Sequence, residues 1–290
     1  MTDQKEIWIN AWKEAAQRSL YRKVFSEEHR CWDASADYYD VGMGSSNERV
    51  TIVMDYLERF GFWKGSRKCV LDIGSGTGSF ALPLAERGAA VTALDCSASM
   101  NRIVHQKAKE KKVHVAVQTG DFNRIPLETQ AYDLVISSMN PGLYHPNSFF
   151  KMLTLSKDLI VYVGLYDVPL KRDHKKSLDE ILLGHKLTHG GSNHVSYPYH
   201  ILKAMGYQPR VFPVTCKWCD PEGEVDAVTR LIRHYKTLET VISQENWQEI
   251  IRHYVHTHLK NDRFMNEGET TMGVLICALN EEEMLLKMTV

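Results

Sequence analysis

A net charge of either sign is missing from this 290-residue chain: 35 Lys and Arg stand against 36 Asp and Glu, leaving −1. No global positive field exists to hold a polyanion, so nucleic acid is disfavoured as a partner. Cysteine is sparse, with six residues at irregular spacing. Cys69, Cys96 and Cys277 lie in or beside apolar runs, the pattern of reduced, buried thiols rather than of a disulfide framework. Apolar runs of membrane-spanning length are absent, and Lys5, Glu6, Lys13, Glu14 and Arg18 exclude a secretory apolar stretch from the first residues. Repeats and low-complexity tracts are absent as well. These absences leave a soluble, cytoplasmic globular chain with no membrane partner, and 43% hydrophobic residues are enough for its core.

Also missing is the third glycine of the dinucleotide fingerprint. Asp72-Ile73-Gly74-Ser75-Gly76-Thr77-Gly78 follows the apolar run Cys69-Val70-Leu71 and opens a helical pattern through Phe80, Ala81, Leu84 and Ala85. Position 79 is Ser where G-x-G-x-x-G needs Gly, so the spacing is D-x-G-x-G-x-G instead. A strand ends, the chain turns through residues without side chains, and a helix begins; main-chain N–H groups then face whatever docks there. A second apolar strand, Ala89-Ala90-Val91-Thr92-Ala93-Leu94-Asp95, ends in a carboxylate suited to both hydroxyls of a ribose. The combination predicts a nucleotide-like ligand. A tight turn alone would leave Asp72, Asp95 and Asp121 at successive strand ends unexplained.

At these residues the chain resembles the class I S-adenosylmethionine (SAM)-dependent methyltransferases, whose first motif reads like 70–78 and whose ribose-binding acid corresponds to Asp95. The resemblance continues in order. Gly120-Asp121-Phe122 follows the strand-like Val113-His114-Val115-Ala116-Val117, where the family places an acid on the adenine amino group beside an apolar residue. Tyr132-Asp133-Leu134-Val135-Ile136-Ser137-Ser138 matches the fourth strand, and the likeness covers residues 48–165. It implies SAM as cofactor, held by Asp72, Gly74, Ser75, Gly76, Gly78, Asp95, Cys96, Met100, Asp121, Phe122 and Ser138.

Strand patterns near 68–73, 90–95, 113–118, 132–138 and 158–165 alternate with helical patterns near 79–87, 98–111 and 147–156. Alternation of this kind predicts an α/β fold with a mostly parallel, doubly wound sheet, and strands near 208–215 and 270–279 make it seven-stranded. Residues 1–45 form an N-terminal helical segment, with an amphipathic helix over 4–28 and the aromatic, acidic stretch Trp32–Asp40, ahead of a methyltransferase-like domain over 46–290. Those aromatics either close over the cofactor or anchor the helix. Ser46-Asn47-Glu48 caps a helix to Phe60, and Pro198–Met205 reads as another. Two additions to the core, 171–200 and 217–268, are expected on the substrate side. The second carries helical patterns near 222–238 and 243–259 and splits what is usually a hairpin in the family.

A sulfonium methyl group is already activated, so the protein has chiefly to hold a nucleophile in line within a dry pocket. Ser138-Met139-Asn140-Pro141-Gly142-Leu143-Tyr144-His145 follows the fourth strand, where the methyl group should emerge, which nominates Asn140, Tyr144 and His145 for the chemistry. The segment faintly resembles the Asn/Asp-Pro-Pro-Tyr/Phe motif of amine- and amide-methylating enzymes, with the second Pro replaced by Gly142 and the aromatic displaced by one; a plain turn with no catalytic role explains it better. Thirteen histidines, including His185, His189, His194, His200, His253, His256 and His258, and the pair Cys216/Cys219 lack the spacing of a zinc site, so no metal is expected. Trp32, Tyr38, Tyr39, Tyr197 and Tyr199 suit a partly apolar substrate pocket. The expected function is methyl transfer to a small molecule; a nucleic acid or protein methyltransferase, or a SAM-binding regulator without activity, are the alternatives.

Overall fold

The computed structural model describes residues 2–19, 29–40, 48–166, 173–184 and 191–280. Residues 20–28 of the expected first helix, the expected cap at Ser46 and Asn47, and His185 and His189 lie outside them, as does the side chain of Tyr38.

Five strands form the parallel part of the sheet: β1 (Cys69–Ile73), β2 (Ala90–Asp95), β3 (Val115–Thr119), β4 (Tyr132–Ser138) and β5 (Ser156–Leu165). β6 (Arg210–Glu222), β7 (Leu259–Lys260) and β8 (Arg263–Ala278) complete it in the order β3-β2-β1-β4-β5-β8-β6, with β7 pairing only to β8. The seven expected strands are all there, and β7 is a two-residue addition. β8 runs antiparallel to both β5 and β6. β1 is buried on both faces because helices cover both: Val70 and Asp72 point to one, Leu71 and Ile73 to the other.

The first face is covered by α3 (Glu48–Arg59), α4 (Ala81–Glu86) and α5 (Ala98–Glu110), through Val53, Leu57, Leu84 and Val104; α1 (Thr2–Arg18) and α2 (His29–Ser35) precede them. On the second face lie α6 (Pro146–Leu155), α8 (Ser196–Ala204) and α1, with α7 (Asp173–Leu183) between α6 and α8 in sequence. Trp12 of α1 is fully buried, donates from Nε1 to the Ser192 carbonyl at 2.7 Å and stacks on Tyr197 at 5.6 Å. Trp8 stacks on His200 at 3.9 Å. The first helix is therefore an integral part of the second face.

The insertion is shorter than expected. β6 and β8 stay paired from Arg210↔Ile276 to Glu222↔Phe264, so residues 217–222 and 263–268 belong to a long two-stranded ribbon, and the helical part spans 223–262. It holds α9 (Glu224–Lys236) and α10 (Trp247–Thr257). Their apolar faces form a third core with segments distant in sequence: Cys31 of α2, Leu178 and Leu182 of α7, Leu231 and Tyr235 of α9, Ile251 of α10 and Phe264 of β8. Tyr235 donates to the buried Asp179 at 2.8 Å, and Arg230 grips Glu222 through two nitrogens at 2.8 and 2.9 Å. The ribbon thus carries a helical lobe beside the sheet.

Candidate active site

The glycine loop between β1 and α4 divides its work. Asp72 is 2% exposed and its Oδ2 accepts the Ala81 N–H at 3.0 Å, holding the start of α4 from beneath. Burial raises its carboxyl from 3.8 to about 7, opposed by the Ala81 N–H, assisted by Asp95 and opposed by Arg49. Neither Asp72, Ser75 nor Gly78 lines the cavity at the carboxyl ends of the strands. Gly74 and Gly76 do, at φ of 67° and 53°. A Cβ on Gly74 would lie 2.6 Å from Cγ of Asn140, so bare backbone is required where the two loops cross.

Asp95, at the end of β2, accepts the Gly76 N–H on Oδ2 at 2.9 Å and the Ser97 N–H on Oδ1 at 2.8 Å. Burial is the main force raising its pKa, and nearby Asp33 adds to it. Cys96 and Met100 line the cavity beside it. Burial and the Asp95 charge push the Cys96 thiol up to about 12, which leaves it unreactive. Residues 29–40 cross this edge as a strap held at two points. Asp33 accepts from Ser97 Oγ at 2.6 Å and the Ser99 N–H at 3.0 Å; Asp40 accepts from Thr77 Oγ1 and Lys107 Nζ, both at 2.6 Å. Trp32 and Tyr39 of the strap line the cavity. Trp32 also packs against the third core, which contains no residue of the first helix.

After β3, Gly120, Asp121 and Phe122 line the far end. Asp121 accepts the Asn123 N–H at 2.9 Å and pairs with Arg124 at 3.2 Å, while Phe122 is 5% exposed with Lys151 Nζ 4.8 Å from its ring centre. After β4, Ser138, Met139 at φ 50° and Asn140 line the near end. The Asn140 amide is committed at both ends: Oδ1 accepts the Gly142 N–H at 2.9 Å, and Nδ2 donates to the Ile73 carbonyl at 3.2 Å. It ties this loop to β1.

Tyr144 is not on the cavity wall. The 3-10 turn Pro141–Leu143 rotates it inward, where it is 1% exposed. His145 does line the cavity and caps α6, its Nδ1 accepting the Asn147 N–H at 3.2 Å. Tyr197 and Tyr199 pack in the second face and do not line the cavity. Sequence reasoning missed Asn123, Arg124, Met139 and Ser148 in the wall and Asp33 and Asp40 behind it. The acids of the strap were legible as residue types; their partners, more than thirty-five positions away, were not.

The cysteine and histidine clusters disperse. Cys216 and Cys219 stand three apart on β6, so one is buried and the other exposed on opposite faces. Cys69 is exposed at the start of β1, contrary to the expected burial. Among the described residues no group of three or more His, Cys, Asp or Glu gathers to hold a metal, and no helix is long and apolar enough to cross a membrane.

The cavity enclosed by these loops has a volume of about 500 Å³. It lies beside the glycine loop at the carboxyl ends of the parallel strands of a doubly wound α/β sheet, where such folds take their ligands. Residues 70–157 match the family model described as Methyltransferase domain. An uncharacterized methyltransferase of Anoxybacillus flavithermus is 31% identical over 105 residues, 36% of this chain and 48% of that protein. The biotin biosynthesis bifunctional protein BioHC of Cellvibrio japonicus is 33% identical over 105 residues, 36% of this chain and 20% of that one. The chain therefore spans less than half the length of either of these relatives. Among solved structures, magnesium protoporphyrin IX methyltransferase from Synechocystis PCC 6803 with bound SAH is similar at TM-score 0.48 and 16% identity, over 81% of this chain and 84% of that one.

Proposed function

We propose that the protein is a SAM-dependent methyltransferase acting on a small-molecule acceptor. The observation that carries this reading is the union, in one cavity wall, of the bare main chain at Gly74 and Gly76, Asp95, the Gly120–Phe122 turn and the loop after β4. The wall fits the cofactor. Gly74 and Gly76 present backbone to its amino-acid end, Asp95 retains acceptor capacity for ribose hydroxyls beyond its two N–H bonds, and Asp121 with Phe122 takes the adenine. When bound, SAM supplies an activated methyl group. The chain's own contribution is to hold, orient and dry the site: the strap lays Trp32 and Tyr39 over it, and His145 lines its wall.

A small acceptor is supported by this covering. The strap and the lobe behind it leave a partly apolar pocket with a few directional groups, and the net charge of −1 offers nothing to a polyanion. The amine-methylating motif loses its support, because the Asn140 amide is already spent on Gly142 and Ile73. Incubating the protein with methyl-labelled SAM and separate pools of small metabolites, DNA and peptides tests the acceptor class. Label should enter the small-metabolite pool. Label confined to DNA or peptides would overturn the acceptor, and binding of SAM without label in any pool would favour a regulator.

A further inference from the structure

Gly142, in the turn after β4, has both of its main-chain groups held by asparagine side chains. Its N–H donates to Asn140 Oδ1 at 2.9 Å, and its carbonyl accepts from Asn123 Nδ2 at 3.1 Å. The two asparagines belong to different walls. Asn140 passes the contact on to the Ile73 carbonyl at the root of the glycine loop, while Asn123 directly follows Phe122 in the turn after β3. The other end of the Asn123 amide is used as well: Oδ1 accepts from Ser148 Oγ at 2.7 Å, in the first turn of α6. One side chain therefore joins the turn proposed for the adenine to the loop and the helix start that bracket His145. Asn123, Asn140, Gly142, His145 and Ser148 all line the cavity.

Glycine at 142 fits this arrangement. A proline there, as in the motif the segment faintly resembles, would have no N–H for Asn140, and a Cβ at 142 would lie 3.2 Å from Asn140 Oδ1. Asn123 is exposed, whereas α6 is tied to the same turn independently by Lys151, whose Nζ donates to the Phe122 and Ile125 carbonyls. Water competes for the Asn123 amide while the cavity is open, so its bonds add little to the fold; a ligand covering that wall excludes the water and strengthens them. Binding at the turn after β3 and order in the loop are then linked, and the linkage runs both ways.

We propose that Asn123 is a positioning residue: a ligand at the adenine end tightens its hold on Gly142 and Ser148, and thereby sets the loop and His145 on the side from which the methyl acceptor approaches. The inference rests on the proposed function and adds to it the residue through which cofactor binding orders the acceptor side.

Amide hydrogen exchange in the full chain tests it, with adenosine and S-adenosylhomocysteine as probes and calorimetry to give their affinities. The reporters are the Leu143 and Tyr144 amides, which donate to the Asn140 and Pro141 carbonyls within the turn, and the Phe149 amide, which donates to the His145 carbonyl. All three residues are buried and none lines the cavity, so a ligand slows their exchange only through the loop. In the wild type either probe should slow all three at least about 10-fold. Asn123→Ala should abolish the slowing at all three while S-adenosylhomocysteine affinity stays within about threefold. Ser148→Ala, which removes the bond to the helix start alone, should lose it at Phe149 and keep it at Leu143 and Tyr144. Slowing that persists in Asn123→Ala overturns the proposal, as does a larger loss of affinity, which would make Asn123 a cofactor contact. Exchange that is faster in Asn123→Ala by the same factor with and without ligand overturns it too, because Asn123 then only supports the fold. Probes that bind the wild type without slowing these amides overturn this proposal alone; if neither probe binds, the proposed cofactor falls and this proposal with it.

Discussion

The carboxyl edge of the sheet and the helical lobe are built on opposite plans. The edge is made by consecutive residues: a strand end, a glycine turn and a helix start within 72–81, then an acid at the end of β2 and another just after β3. Its ligand-facing groups are largely main chain and strand-end carboxylates, so local sequence specifies them. The lobe is made by residues far apart, Cys31, Leu178, Leu231, Ile251 and Phe264, which meet only because the β6–β8 ribbon carries 223–262 beside α2 and α7. The difference teaches where each function resides. What every member of a fold must bind is written locally, and what one protein selects is assembled.

The largest test of this division falls on the edge. Gly74→Val puts a branched side chain at φ 67° and into Asn140, so affinity for S-adenosylhomocysteine should fall at least about 100-fold, a strain and contact cost of several kcal/mol. Calorimetry measures it, and an unchanged affinity would mean that the loops do not cross at the ligand.

Next in size is the lobe. Leu231→Ala opens a cavity in a core where the side chain is 1% exposed and should cost about 2–5 kcal/mol in urea unfolding. Methyl transfer should drop while S-adenosylhomocysteine affinity stays within about threefold, a change of under about 1 kcal/mol. A parallel loss of both would make lobe and edge one unit and break the comparison.

Asp72 gives a smaller effect with a definite sign. Its carboxyl is raised from 3.8 unfolded to about 7 folded, so the folded state prefers the protonated form, and wild-type stability is lost as pH rises through that window. Asp72→Asn lacks this penalty while keeping an oxygen for the Ala81 N–H. Relative to wild type, the variant should gain roughly 2–4 kcal/mol between pH 4 and pH 7. A constant difference across that range would show that Asp72 is not held in a dry site. Smallest is Trp32→Ala, which removes one wall of the cavity and a contact with the lobe's core; affinity should weaken about three- to tenfold, or about 1 kcal/mol. No change at all would detach the strap from the ligand.

How much of this was legible follows from the same contrast. All seven long strands and the edge helices were readable because hydrophobic period, glycines and caps are local; Ser97 capping α5 through the Met100 N–H is an instance. Gly74, Gly76, Asp95, Cys96, Met100, Asp121, Phe122, Ser138, Asn140 and His145 were named from sequence and do line one cavity. Asp72, Ser75 and Gly78 were named with them, yet they support the loop instead of facing the cavity: Asp72 is occupied by Ala81, and Gly78, at φ 90°, sits over Leu82. No sequence pattern separates facing from supporting within one motif. Tyr144 lies off the wall for a related reason, the 3-10 turn Pro141–Leu143 deciding its direction.

The central claim, that the edge is a SAM site, is tested most directly by titrating S-adenosylhomocysteine and NAD into the wild type and Asp95→Ala, with circular dichroism to verify folding. The wild type should bind S-adenosylhomocysteine and prefer it to NAD, and Asp95→Ala should weaken that binding by about 1–3 kcal/mol as charge-assisted hydrogen bonds are lost. NAD binding more tightly than S-adenosylhomocysteine, or a folded Asp95→Ala variant with unchanged affinity, would contradict it.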